Sequence, residues 1–281
     1  MNFIQIKSYA KINLALNVTG KSAKLHKIES IVSLIGLHDL IFIKKIRASR
    51  HQIYFYGNFS KNIGNNNTVE KLLKILDKDQ LLKDRKFQIK IKKNIPQKSG
   101  LGGGSMNAAN ILNVFIKKKL IKINQKKIQS ISSSIGSDVI LGVKSTSVIL
   151  TSNSVVKKFS NCPKFYILLV RPNFGCSTKK IYSGVRKITK SKFNNPNKSM
   201  FSSKYLLKQE NALESVAFPK YPKLKKIKSF LENLKNPIFV RMTGSGSVIV
   251  AYYQSKLDCE MAKFEFKRKY KNYWCNTSKT I

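Results

Sequence analysis

Along the first stretch of the chain, Ile4, Ile6, Ala10, Ile12, Leu14 and Leu16 fall on one side of a two-residue alternation, and Lys7, Lys11, Asn13 and Asn17 fall on the other. That period predicts a strand over residues 3–18 with one apolar and one polar face. Residues 40–46 and 52–56 read as further strands. Residues 65–76 read as a capped helix that buries Leu72, Leu73 and Leu76. Phe87, Ile89 and Ile91 alternate with Gln88, Lys90 and Lys92 until Pro96 breaks the extended pattern. Ala108, Ile111, Leu112 and Phe115 then recur at helical spacing. Residues 125–135 predict a helix closed by Gly136, and residues 147–150 and 165–170 predict strands. In the second half the pattern predicts a helix over 177–188, an irregular polar loop over 190–201 and a helix over 221–234. Strands over 237–242 and 248–253 then flank a Thr-Gly-Ser-Gly-Ser turn, and a helix over 255–270 follows. The whole is an α+β chain. A turn-rich patch over 151–163 places the boundary between two domains, 1–158 and 159–281.

Composition narrows the class. A chain of 281 residues with 42% hydrophobic content can bury two cores. No apolar run approaches the roughly eighteen residues of a membrane span, and early lysines stand where a signal peptide needs a hydrophobic stretch. The expectation is a cytoplasmic protein with no membrane partner. Cys162, Cys176, Cys259 and Cys275 lack the spacing of a zinc site or a disulfide framework. A formal charge of +41 invites a nucleic-acid reading. Few of the 54 basic residues are Arg, however, and the lysines are spread along the whole length. We therefore expect no specific nucleic-acid partner, only salt-sensitive adhesion to polyanions.

The segment Ile-Pro-Gln-Lys-Ser-Gly-Leu-Gly-Gly-Gly-Ser-Met-Asn-Ala-Ala, residues 95–109, carries candidate chemistry. It lies between a strand and a helix, and a helix N-terminus offers unpaired N–H groups and a partial positive charge to an anion. Glycine lets the backbone come close. No Gly-Lys-Ser/Thr closes the glycine run and no Gly-x-Gly-x-x-Gly is present, so this is neither a Walker nor a dinucleotide loop.

Four stretches now stand in order: Ala-Lys-Ile-Asn-Leu-Ala-Leu at 10–16, Gly-Leu-Gly-Gly-Gly-Ser-Met-Asn-Ala-Ala at 100–109, Ile-Gly-Ser-Asp-Val-Ile-Leu-Gly at 135–142 and Met-Thr-Gly-Ser-Gly-Ser at 242–247. Together they resemble the GHMP small-molecule kinases, and within them the branch whose alcohol substrate carries a cytidylyl group and serves non-mevalonate isoprenoid synthesis. The resemblance implies a two-domain α+β fold, with an N-terminal domain built like a ribosomal protein domain and a ferredoxin-like C-terminal domain. It implies ATP as co-substrate with Mg²⁺, a small cytidylyl substrate, and a monomer or homodimer. By the same resemblance Asp138 is the base and Lys11 its partner. Pro96, Lys98, Gly100, Leu101, Gly102, Gly103, Gly104, Ser105, Asn107 and Asn67 take the ATP, with Ser105 the candidate hydroxyl for phosphate or metal, unless it is a plain N-cap. Asn13, His26, Thr178, Tyr182, Gly244, Ser245 and Gly246 take the substrate. Leu25 stands where the family often has an aromatic, Tyr9 where it has proline and Met106 where it has serine. Two alternatives remain: another small-alcohol kinase of the same family, which Leu25 keeps open, and a basic RNA-binding protein.

Overall fold

In the computed structural model, which describes residues 2–21, 26–143 and 146–281, the opening alternation forms strand β1 (Ile4–Lys21). Its polar face is not wet. From Lys11 to Val18 every residue is buried, so Lys11, Asn13 and Asn17 are enclosed along with the apolar residues opposite them. Strand β2 (His26–Ile46) pairs with β1 and begins well before the segment 40–46 that alternation predicts. Its first half runs through the near-continuous apolar stretch around Ile31 to Leu37, buried on both sides and so without a two-residue period.

The chain divides into two compact units, each discontinuous in sequence. One comprises Met1–Lys11, Leu37–Gln97 and Gly102–Ser145; the other comprises Ile12–Gly36, Lys98–Leu101 and Thr146–Ile281.

In the first unit the elements after β2 are β3 (Gln52–Tyr56), α1 (Thr68–Lys78), β4 (Lys86–Lys92), α2 (Gly103–Lys117), α3 (Gln125–Ile135) and α4 (Val139–Val143). Residues 40–46 of β2 pair antiparallel with β4, which pairs parallel with β3. The buried stripes of α1 and α2, with Leu72, Leu76, Ile111 and Phe115, pack on Ile41, Ile43 and Ile89 of the sheet. Each such side chain contributes roughly 1.5–3 kcal/mol on burial. This core fixes the direction in which α2 presents its N-terminus.

The second unit continues with β5 (Ser147–Leu150), β6 (Val156–Phe159), β7 (Tyr166–Arg171), α5 (Thr178–Tyr182), α6 (Ser203–Leu207), α7 (Glu214–Lys220), α8 (Pro222–Glu232), β8 (Phe239–Met242), β9 (Ile249–Tyr253), α9 (Lys256–Lys269) and β10 (Trp274–Lys279). Residues 30–32 of β2 pair with β5, and β5 pairs with β6. The other sheet is antiparallel in the order β10-β7-β9-β8, which is the ferredoxin-like arrangement. Helices α8 and α9 cover it through Leu224, Ile227, Leu231, Ala262 and Phe266.

Three sequence expectations are corrected here. Strand β6 lies inside the patch read as turns, its Val-Lys-Lys-Phe being too polar to stand out. Helix α5 ends at Tyr182 rather than reaching 188, because Gly184 follows and its N–H turns back to Ile181 O at 3.1 Å. Strand β10 was not expected at all. Its Trp-Cys-Asn-Thr-Ser-Lys has no apolar alternation, and pairing with β7 at the sheet edge makes it a strand. Among the described residues, no helix is long and apolar enough to cross a membrane.

Candidate active site

In the first unit the chemistry gathers where β1, the turn before α4 and the start of α2 meet. Lys11 Nζ lies 3.3 Å from Asp138 Oδ2; the lysine side chain is 3% exposed and the carboxylate 29%. The buried ammonium thus faces a carboxylate that solvent, or a substrate, can still reach. Asp138 is held by a tight turn. Gly136 ends α3, its N–H bonding Ser132 O at 3.0 Å, and the Val139 N–H returns to Gly136 O at 3.1 Å. Gly102 caps α2 in the left-handed region, φ 68°, with no side chain supplying the cap. The first N–H groups of α2 are therefore left to whatever anion approaches. A methyl group on Gly102 would come within 2.8 Å of Lys11 Cγ, so glycine here makes room for the lysine. Gly103, Gly104 and Ser105 form the first turn of α2, and Gly104 O accepts the Thr68 hydroxyl at 2.7 Å. Ser105 is consequently not the N-cap, one of the two roles its sequence position allows. Its Oγ lies 3.9 Å from the point where a methyl on Gly136 would stand, which turns it toward the Gly136–Asp138 turn.

In the second unit, the Asn13 side chain donates to Ser30 Oγ at 2.8 Å, and Ser30 Oγ donates to Ala15 O at 2.6 Å. The Asn13 backbone N–H donates to Thr243 Oγ1 at 3.0 Å. Gly100 has φ 77°, and a methyl there would stand 2.0 Å from Thr243 O, so no other residue fits. Ser99 O accepts the Val248 N–H at 3.1 Å, which seats residues 98–101 on the turn between β8 and β9. In that turn Gly244 and Gly246 both have positive φ, and Gly244 O accepts the Asn211 amide at 2.8 Å. Ser245 Oγ lies 2.9 Å from Thr178 Oγ1 at the start of α5. Tyr182, at the end of α5, has its ring 5.5 Å from that of His26 and tilted 39° to it. Leu25 lies outside the described residues.

Several expected ATP contacts have other engagements. Asn67 caps α1, its Oδ1 accepting the Val69 and Glu70 N–H groups at 3.1 and 3.0 Å. Asn107 is buried and gives its amide to Asp39. Pro96 and Leu101 are buried, whereas Lys98 is exposed with φ 50°. Met106 is fully buried against Gly142, where a methyl would come within 2.8 Å of its sulfur, so this departure serves the core. Tyr9 packs edge-on to His38 at 5.3 Å.

The family model for the GHMP kinase N-terminal domain matches residues 67–149, and that for the GHMP kinase C-terminal domain matches residues 185–272. The chain belongs to the GHMP kinases. It is 58% identical, over the full length of both chains, to the 4-diphosphocytidyl-2-C-methyl-D-erythritol kinase of Pelagibacter ubique (strain HTCC1062). The enzyme of that name from Petrotoga mobilis is 33% identical over 88% of this chain and 97% of its own. A crystal structure of 4-(cytidine 5'-diphospho)-2C-methyl-D-erythritol kinase superposes with TM-score 0.76 at 20% identity, covering 98% of this chain and 99% of that one. Homoserine kinase from Cytophaga hutchinsonii gives TM-score 0.72 at 13% identity, over 100% and 95%. At such identities the structural likeness speaks to the fold. Membership in the family makes ATP the co-substrate of this kinase.

Sequence reasoning passed over several residues that this GHMP kinase uses to hold its candidate site. Ser30 and Thr243 flank Asn13, Asn211 fastens the turn after β8, and Asp39 with Lys93 underlies the start of α2. Asp39 carried a usable signal. It is one of only 13 acidic residues and sits in the apolar run Leu-His-Asp-Leu-Ile-Phe, the criterion that singles out Asp138. Lys93 carried none, being one lysine among many.

Proposed function

We propose that this kinase transfers the γ-phosphoryl group of ATP to the 2-hydroxyl of 4-diphosphocytidyl-2-C-methyl-D-erythritol. The single observation that carries the mechanism is the Lys11–Asp138 pair, a partly exposed carboxylate held by a buried ammonium. Asp138 accepts the proton of the attacking hydroxyl as its oxygen forms a bond to the γ-phosphorus, while the bond from that phosphorus to the β-γ bridging oxygen breaks and ADP leaves. Lys11 aligns the carboxylate and stabilises charge developing on the attacking oxygen. Asn13, two residues along β1 and fixed by Ser30, orients the hydroxyl. His26 and Tyr182 offer aromatic faces to the cytosine, and Thr178, Ser245 and the glycines at 244 and 246 offer hydroxyl and backbone groups.

The N-terminal turn of α2, Gly103 to Ser105, takes the ATP phosphates through backbone N–H groups. Among the described residues no cluster of three His, Cys, Asp or Glu side chains can hold a metal. Mg²⁺ would be held largely by substrate phosphates and water, with Ser105 Oγ as the protein's hydroxyl. Bound there, the ion would neutralise phosphate charge during transfer. The two family models fall on either side of residue 158, which supports assigning the phosphate loop and catalytic pair to 1–158 and the second family domain to 159–281.

A coupled ADP-release assay with a panel of small alcohols tests the reading. The cytidylyl alcohol should be turned over far faster than homoserine or mevalonate; preference for either of those would displace this substrate, and no transfer to any would remove the kinase reading.

A further inference from the structure

Asp39, in β2, is wholly buried, and its carboxylate collects donors from both segments that border the glycine loop within the first unit. Oδ1 accepts the backbone N–H groups of Asn94 and Ile95 at 2.8 and 2.9 Å, just past the end of β4. Oδ2 accepts the Asn107 amide at 2.9 Å, one turn into α2, and forms an ion pair with Lys93 Nζ. The backbone adds a parallel tie, His38 O accepting the Asn94 side-chain amide at 3.0 Å. The segment so held bears directly on the helix start: a methyl on Gly103 would stand 3.0 Å from Ile95 Cγ2 and 3.3 Å from Lys93 Nζ.

Two physical points argue that this cluster serves more than stability. A buried ion pair loses much of its Coulomb gain to desolvation, and apolar replacements of the same volume often do as well. An ammonium against a helix N-terminus also opposes the helix dipole, so the arrangement is unfavourable unless an anion balances it. Asp39 supplies that balance in the fold and leaves a cation beside the turn where a phosphate arrives.

We propose that Asp39 is a positioning residue which, through Lys93, Asn94, Ile95 and Asn107, sets the first turn of α2 for the ATP phosphates. The proposal rests on the reading of that turn as the phosphate site. It is tested with Asp39→Asn and with the double substitution Asp39→Leu/Lys93→Met, which removes both charges together. For each variant the thermal midpoint, the KM for ATP, the KM for the alcohol and the hydrogen exchange of amides 103–107 are measured.

The double variant should fold but melt below the wild type, because the Asn94 and Ile95 N–H groups and the Asn107 amide lose their acceptor. Exchange of the first α2 turn should be accelerated and the KM for ATP raised about tenfold or more, since small misplacements of binding groups carry losses of that order. The KM for the alcohol should stay within about twofold of the wild type. If Asp39→Asn does not fold, the double variant alone decides. A folded double variant that keeps its KM for ATP, or one whose two KM values rise together, would reduce the cluster to a structural role. A wild-type protein that binds no ATP would instead sink the phosphate-site reading, leaving the exchange of amides 103–107 to decide whether Asp39 sets the turn.

Discussion

The side chain of Lys11 lies across the α-carbon of Gly102, so closely that a methyl group there would meet Cγ at 2.8 Å and Cε at 3.0 Å. One glycine therefore does two things: it adopts the left-handed backbone that caps α2, and it leaves the passage through which the lysine reaches Asp138. Gly102→Ala should cost about 1 kcal/mol in backbone strain. It should lower kcat by roughly ten- to a hundredfold by pushing the ammonium off the carboxylate. Steady-state kinetics on a variant with an unchanged circular dichroism spectrum checks this, and a wild-type kcat would show that the lysine's path does not matter.

Ser30 governs the amide orientation of Asn13, since it accepts from Nδ2 and passes its own proton to Ala15 O. Ser30→Ala removes this hydrogen bond from the buried amide, at a cost of about 0.5–1.5 kcal/mol. The effect should fall on turnover of the alcohol, with the KM for ATP within about twofold of the wild type, and Asn13→Ala should be more damaging. Loss of ATP affinity in Ser30→Ala, with turnover intact, would place Asn13 elsewhere in the reaction.

Acidification should weaken the first unit through His51. Its Nδ1 accepts the Phe87 N–H at 3.0 Å, and its Nε2 lies 3.2 Å from Asp77 Oδ2. Burial lowers its pKa from the ordinary 6.5, with Asp77 opposing that shift. The unfolded chain therefore binds the proton more readily, so the stabilisation is complete above about pH 6.5 and is lost as the pH falls below it, with a slope of at most about 1.4 kcal/mol per pH unit. Melting curves from pH 7.5 to 5 should show a steeper decline for the wild type than for His51→Gln. Parallel curves would mean that the imidazole is not the sensitive group.

The legible parts of this molecule were those whose pattern has a single cause. Residues 86–92 alternate because one face packs on helices, and Asp138 stands out because a carboxylate rarely borders an apolar run. β1 showed its period but hid its environment: Lys11 and Asn13 sit on a polar face that is enclosed, and only tertiary structure reveals that such a face is buried rather than wet. β10 and β6 were invisible because their neighbours, not their side chains, make them strands. Ser30 and Asn211 were hidden because each acts on a partner far away in the chain.

The charge of +41 should affect adhesion more than catalysis. RNA binding should be indifferent to sequence and largely lost by about 200 mM salt, as counterion release requires. Phosphoryl transfer should fall only modestly over that range, because buried contacts are screened less than exposed ones. A salt titration of both properties on one preparation separates them. Sequence-selective RNA binding that persists at high salt would assign the lysines a function.

Asp138→Asn tests the central claim most directly, since it keeps the size of the side chain and removes its ability to take a proton. With ATP and 4-diphosphocytidyl-2-C-methyl-D-erythritol at saturation, the account predicts that kcat drops by about a hundredfold or more while ATP affinity changes little. A folded Asp138→Asn protein that forms the phosphorylated product at a near-normal rate would contradict it.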